Sequence, residues 1–75
     1  MSPKLGMDPK GDIVNKLHEI REEKGVSLRG LAKLAGVSKT QINEIENGQS
    51  DPTLKTMCRI AKALNMKIED IFWCD

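Results

Sequence analysis

The sequence predicts a compact all-α domain of five short helices. Apolar residues recur every three or four positions from residue 12 onward, strict alternation is absent, and glycines or capping residues interrupt the chain at short intervals. The 75 residues suffice for one domain with a small core. Residues 1–11 contain two prolines, two glycines and no apolar period. We therefore predict a flexible leader at 1–11, with a basic arm that enters a DNA minor groove as the alternative, and a folded domain at 12–73.

The first two helices follow from their apolar stripes and from the residues that bound them. Ile13, Leu17 and Ile20 recur on one side of a first helix. Gly25 ends this helix, because glycine readily adopts the left-handed conformation that follows a helix. Ser27 is a cap for the second helix.

The last two helices are predicted in the same way. Thr53 caps a longer fourth helix, which Asn65 ends, and the apolar side of that helix comprises Leu54, Met57, Cys58, Ala61 and Leu64. Ile68, Ile71 and Phe72 predict a short fifth helix that covers one side of the core.

The second and third helices are joined by a very short connection. Only Gly36 and Val37 precede Ser38, which caps the third helix. A tight turn with glycine favours the steep crossing of a helix-turn-helix unit over an ordinary helical hairpin, since small residues such as Ala32 let the backbones approach.

Positive charge is concentrated on this helix pair. The net charge is only +1, but Lys24, Arg29, Lys33 and Lys39 lie between residues 24 and 43, and all eleven acidic residues lie elsewhere. Arg29 and Lys39 each fall in the first turn of a helix, where a cation opposes the helix dipole. We expect a surface for phosphates, with a merely solvated charged face as the alternative.

The third helix carries a polar outward face. With Ile42 and Ile45 inward, about 100° per residue places six residues outward or beside that face: Lys39, Thr40, Gln41, Asn43, Glu44 and Asn47. Such side chains can recognise base edges in a major groove, although a solvent-exposed polar helix would look the same.

Several function classes are disfavoured. His18 is the single histidine, and Cys58 and Cys74 are too far apart for a zinc motif, so we expect neither a metal nor a cofactor. No motif ties a nucleophile to a base, and a chain this short has little material for a cleft, so we expect no enzyme. Without a membrane span or a secretory signal, we expect a cytoplasmic protein.

Several motifs together resemble a known family: Ile20 to Ser27, Gly36-Val37-Ser38, Glu46-Asn47-Gly48 and Pro52-Thr53-Leu54. Over residues 12 to 73 the chain is similar to the lambda-repressor-like, Cro/Xre-type helix-turn-helix family. The resemblance implies a five-helix domain, two-fold dimerisation on operator DNA, and helix 3 in the major groove.

The resemblance also implies roles for individual residues. Base contacts are expected from Ser38, Lys39, Thr40, Gln41, Asn43 and Glu44, and phosphate contacts from Arg29, Asn47, Gln49 and Ser50, with backbone amides of the loop 49–53 contributing. Arg21 and Glu46 would form a structural ion pair, and the helical map agrees because Glu46 falls near the inward edge.

Four positions depart from the family pattern. Leu28 replaces a phosphate-binding glutamine, for which Arg29 is a candidate substitute. Gly30 stands where an acidic helix former is common, Gln49 replaces a frequent basic residue, and Lys67 occupies a usual cap position.

The leading hypothesis is sequence-specific binding of double-stranded DNA by a homodimeric transcriptional regulator, a repressor in its simplest form. The alternative is a protein-interaction module, such as an antitoxin subunit, that keeps the fold and binds a partner through Phe72 and Trp73.

Overall fold

The computed structural model describes residues 13–74, which form four α-helices, one turn of 3-10 helix and a two-stranded antiparallel sheet. The elements in chain order are β1 (Ile13–Asn15), α1 (Leu17–Glu23), α2 (Leu28–Ala35), α3 (Lys39–Glu46), α4 (Leu54–Ala63), the 3-10 turn (Ile68–Asp70) and β2 (Phe72–Cys74). The predicted leader at 1–11 lies outside the described residues.

The prediction of five helices in an all-α domain is wrong at both ends of the described chain. Ile13 lies in β1 and not in the first helix, and the expected fifth helix is a single 3-10 turn followed by β2. Ile13 lies opposite Cys74, and Val14 lies opposite Trp73. β-Branched and aromatic side chains at these positions favour a strand pair over helical turns. The fold is therefore mostly helical, with a small sheet.

The strand ends where Asn15 begins the first helix. The Asn15 Oδ1 atom accepts a hydrogen bond from the Leu17 backbone N–H at 3.0 Å. This bond satisfies one of the N–H groups that the first turn of a helix leaves without a partner. Helix α1 therefore starts four residues later than the stripe from Ile13 suggests.

The predicted boundaries inside the chain are confirmed. Ser27, Ser38 and Thr53 each accept a hydrogen bond from the backbone N–H three residues further on, at 3.0, 3.0 and 3.1 Å. Asn65 follows α4 with a φ of 57°, the left-handed conformation typical of a residue that ends a helix.

The helices enclose a core of aliphatic side chains with one aromatic ring. Six of these side chains are almost completely buried: Leu17, Leu31, Ile42, Ile45, Ile60 and Ile71. Phe72 of β2 closes the core beside them. In α4 the stripe is narrower than predicted, because Leu54 and Cys58 are exposed.

Two of the unusual positions have local explanations. A Cβ atom at residue 30 would lie 3.1 Å from Ser27 Oγ, the atom that caps α2, so glycine avoids crowding the cap. Lys67 precedes the 3-10 turn without a side-chain cap of its own. Asp70 supplies the contact instead, since its Oδ2 accepts from the Lys67 N–H at 3.3 Å.

Candidate nucleic-acid interface

The turn between α2 and α3 is short and internally bonded. Gly36 has a φ of +70°, and the N–H groups of Gly36 and Val37 both donate to the Ala32 carbonyl, at 2.9 and 3.1 Å. Ser38 then caps α3 through its bond from the Gln41 N–H. Helix α3 is thus held against α2 with no intervening loop, which is the helix-turn-helix arrangement.

Helix α3 has one buried side and one polar side. Ile42 is fully buried and Ile45 is 1% exposed, so these two side chains anchor the helix to the core. Lys39, Thr40 and Asn43 are exposed on the opposite side. The inward and outward sides agree with the map at 100° per residue.

The side chains predicted to contact bases differ in exposure. Ser38, Lys39, Thr40 and Asn43 are exposed, whereas Gln41 and Glu44 are half-buried at the edge of the face. Ser38 Oγ already accepts a hydrogen bond, and its hydroxyl proton can still be donated. Within residues 13–74 the other five side chains make no hydrogen bond or ion pair, so their donors and acceptors are available to a ligand.

The residues predicted to contact phosphate flank this face in the sequence. Arg29, Asn47 and Gln49 are exposed and Ser50 is half-buried. The expected use of every backbone amide in the loop needs a correction at Gln49, whose N–H donates to the Glu44 carbonyl at 2.9 Å. Gln49 can therefore reach a phosphate only through its side chain.

The four cations of the helix pair are free to face a ligand. Lys24, Arg29, Lys33 and Lys39 are all exposed, and none of them forms an ion pair with another described residue. Leu28 is half-buried against the core and acts as a packing residue where the family has a glutamine.

An ion pair holds the C-terminal end of α3 against α1. Arg21 Nε donates to Glu46 Oε2 at 2.8 Å, and Arg21 Nη2 lies 3.2 Å from Glu46 Oε1. The side chains are only 11% and 5% exposed. A third guanidinium bond, from Nη1 to the Val26 carbonyl at 3.0 Å, ties the same group to the turn before α2. The hydrogen bond to Glu46 is the largest of the effects that raise the pKa of Arg21, so the pair stays charged.

Two contacts to the same helix end have no signal in the sequence pattern. Asn15 Nδ2 donates to the Ile45 carbonyl at 2.9 Å, and His18 Nδ1 lies 3.2 Å from Glu46 Oε1. The partners are 30 and 28 residues apart, so no helical spacing links them. An asparagine two residues before an apolar helix start could have indicated the cap at Asn15, but not its contact with α3.

Two kinds of site were also sought among the described residues. Within 13–74, no group of three or more His, Cys, Asp or Glu side chains comes together as metal ligands do. Over the same residues, none of the helices is long and apolar enough to cross a membrane.

The chain is similar to known regulators in sequence and in fold. A helix-turn-helix family model matches residues 17–71. An uncharacterized HTH-type transcriptional regulator of Methanocaldococcus jannaschii is 47% identical over 58 residues, which are 77% of this chain and 88% of that protein.

Two solved structures show the same architecture. The restriction-modification controller protein C.AhdI of Aeromonas hydrophila matches with a TM-score of 0.70 and 31% identity, over 72% of this chain and 82% of that one. SinR of Bacillus subtilis, the master regulator for biofilm formation, was solved in complex with DNA. It matches with a TM-score of 0.68 and 31% identity, over 72% of this chain and 87% of that one.

The expected resemblance is thereby confirmed by a family match over most of the chain, by sequence relatives and by solved structures. The chain belongs to the lambda-repressor-like helix-turn-helix family of DNA-binding transcriptional regulators.

Proposed function

We propose that this chain binds double-stranded DNA in a sequence-specific manner, as a homodimer that represses transcription in the cytoplasm, through a domain at 12–73. Helix α3 enters the major groove and contacts bases through Ser38, Lys39, Thr40, Gln41, Asn43 and Glu44. Arg29, Asn47, Gln49 and Ser50 contact phosphates on either side.

The observation that carries this proposal is the unpartnered polar face of α3. Lys39 can donate to guanine O6 and N7, Asn43 can make a bidentate contact with adenine, and Glu44 can accept from cytosine N4. The methyl group of Thr40 can contact the thymine methyl. An exposed face with this mixture of donors and acceptors suits base recognition better than it suits an apolar protein partner.

The charge distribution supports contact with a polyanion. Lys24, Arg29, Lys33 and Lys39 are exposed and lack partners within the described residues, while Glu46, at the C-terminal end of the same helix, is neutralised by Arg21. A phosphate approaching α3 therefore meets cations, and the nearest strong anion is buried and paired.

Fluorescence anisotropy tests the proposal. A randomised duplex pool is enriched with the protein, and an enriched duplex and a scrambled duplex are then titrated at several salt concentrations. Contact with about four to eight phosphates by a dimer gives a slope of log K against log salt of about −4 to −7. A slope near zero, or no enriched sequence, would contradict the proposal.

Arg29→Ala separates phosphate contacts from base contacts. It is expected to weaken the enriched and scrambled duplexes equally and to make the salt slope shallower by about 1 per protomer. Lys55→Ala is the matched control, since Lys55 is an exposed cation on α4, outside the helix pair. A change in which sequence is preferred would show that Arg29 contacts a base.

Repression follows from occupancy of a site. A domain of this size that holds two half-sites about one helical turn apart blocks the DNA it covers. In transcription reactions with purified polymerase, an enriched site placed over a promoter is expected to lower transcript yield, and the same site far upstream is not. If yield rises with the site over the promoter, the repressor assignment is wrong.

A further inference from the structure

The outer edge of β2 is unpaired within the described residues. The Lys16 N–H donates to the Ile71 carbonyl at 3.0 Å, and these two residues lie directly opposite each other in the register of the sheet. Hydrogen-bonded pairs alternate along an antiparallel ladder, so Val14 and Trp73 form the next such pair. The backbone N–H and C=O groups of Phe72 and Cys74 therefore point away from β1, where residues 13–74 supply no further strand.

This edge lacks the features that usually protect a strand from pairing. β2 reads Phe-Trp-Cys, with no charged residue and no proline. Trp73 is 44% exposed and Cys74 is exposed beside it. The opposite situation holds at β1, where the outward Ile13 N–H already donates to Asp51 Oδ1 at 3.2 Å.

An apolar pocket lies next to the same edge. It has a volume of about 170 Å³ and is lined by Ile13, Met57, Ile68, Phe72, Trp73 and Cys74. An unprotected strand edge with a half-exposed tryptophan and an apolar pocket is characteristic of a protein contact.

We propose that the outer edge of β2 pairs in antiparallel fashion with β2 of a second copy of this chain. The two sheets then join into one four-stranded sheet, and Trp73 of each copy covers the apolar pocket of the other. A second copy is the occupant that the geometry favours, because antiparallel pairing of a strand with itself is two-fold symmetric and one surface supplies both halves of the contact.

The pairing would also orient the two DNA-binding faces. Asn15 of β1 is bonded to the Ile45 carbonyl at the end of α3, so the sheet is tied directly to α3. Joining the sheets thus fixes the two α3 helices relative to each other. The inference rests on the proposed function in taking the homodimer as the DNA-binding form.

The exposed area indicates how strong the dimer should be. The exposed part of Trp73 is on the order of 100 Å². With the strand edge and the pocket, each copy buries a few hundred Å², below the approximately 800 Å² per partner of a standard interface. We therefore expect a dissociation constant in the micromolar range, and a tighter dimer on DNA that presents two half-sites.

Trp73 supplies its own assay, because it is the only tryptophan in a chain that has no tyrosine. Sedimentation velocity and tryptophan emission are followed as the full chain is diluted from about 500 μM to about 1 μM, a range that brackets the expected constant. We expect a dimer at high concentration and a shift of the emission to longer wavelength with the same midpoint on dilution.

Two variants test the two parts of the contact. Trp73→Glu removes the aromatic contact, and Cys74→Pro removes an outward N–H without affecting the bonds between Val14 and Trp73. Each should raise the dimer dissociation constant at least about thirtyfold. Leu34→Glu is the matched control, since Leu34 is 66% exposed on α2 and should leave the constant unchanged. Circular dichroism confirms that each variant is folded.

The outcomes separate this inference from the proposed function. A chain that is monomeric at every concentration and also on a palindromic duplex would overturn the inference, as would a dimer that survives Trp73→Glu and Cys74→Pro. If enrichment from the duplex pool fails while the dimer and its dependence on Trp73 remain, the proposed function is wrong and the β2 contact stands.

Discussion

Glu46→Gln tests the ion pair that holds the end of α3. The substitution keeps the size of the side chain and removes the charge opposite the Arg21 guanidinium, which is 2.8 Å away and 11% exposed. An amide in this place offers one oxygen where the carboxylate offers two, so at most one of the two Arg21 bonds to Glu46 survives.

The magnitude follows from the burial of both groups. Removing one partner of a buried ion pair costs about 3–5 kcal/mol, because an uncompensated charge is left behind. Arg21 keeps its bond to the Val26 carbonyl, so we expect a loss of about 3 kcal/mol. With a urea m-value of about 1 kcal/mol per molar, the midpoint falls by about 3 M.

Urea unfolding followed by circular dichroism measures this effect. Glu44→Gln is the control, because Glu44 is a half-buried carboxylate on the same helix with no hydrogen bond within residues 13–74, and it should change stability by less than about 0.5 kcal/mol. Equal midpoints for the two variants would refute the assignment of this ion pair to the stability of the fold.

The pH dependence of the difference is also defined. Because the pKa of Arg21 is raised in the folded chain, its contribution to stability is fully present below its ordinary pKa and is lost only as pH rises through the raised value. Between about pH 7.5 and 9.5 the cost of Glu46→Gln should therefore be constant.

Three further substitutions test the contacts around α3, each by urea unfolding. Asn15→Ala removes the cap on the Leu17 N–H and the bond to the Ile45 carbonyl, and should cost about 1–2 kcal/mol. Gly48→Ala forces a residue with a side chain to adopt a φ of +72°, and should cost about 1 kcal/mol although no atom lies within 4 Å of the added methyl group. His18→Ala should cost less than about 1 kcal/mol, because the ring is 54% exposed and its ion pairs are screened by water.

The controls for these three differ. Asn43→Ala truncates an exposed asparagine without a described partner, so equal losses at Asn15 and Asn43 would contradict the dual role of Asn15. Gly48→Asn should cost less than Gly48→Ala, since asparagine tolerates the left-handed conformation better, and the reverse order would count against the conformational explanation. A loss at His18 as large as that of Glu46→Gln would show that the histidine is an essential part of the ion-pair network.

The interior of the fold could be predicted from the sequence because its signals are local. Ser27, Ser38 and Thr53 act within three residues, and Ile42 with Ile45 defines the inward side of α3 in less than one turn. Such signals depend on backbone geometry that a short segment determines by itself.

The two ends of the described chain could not be predicted in this way. Ile13 continues the helical period of Leu17 and Ile20, yet it pairs with Cys74 across a distance of 61 positions. A strand pair is stabilised by its partner and by the faces it covers, so neither segment alone carries the signal. The same reason applies to the contacts of Asn15 and His18 with the end of α3.

The polar face of α3 could be predicted from the sequence, and its ligand is the central claim of the proposal. The most direct measurement is a duplex selection carried out in parallel with wild type, Lys39→Ala and Asn43→Ala. We predict an enriched, two-fold symmetric sequence for wild type and a changed preference at different base pairs for each variant, because each side chain contacts its own base edge. Identical preferences for all three proteins would contradict base recognition by α3.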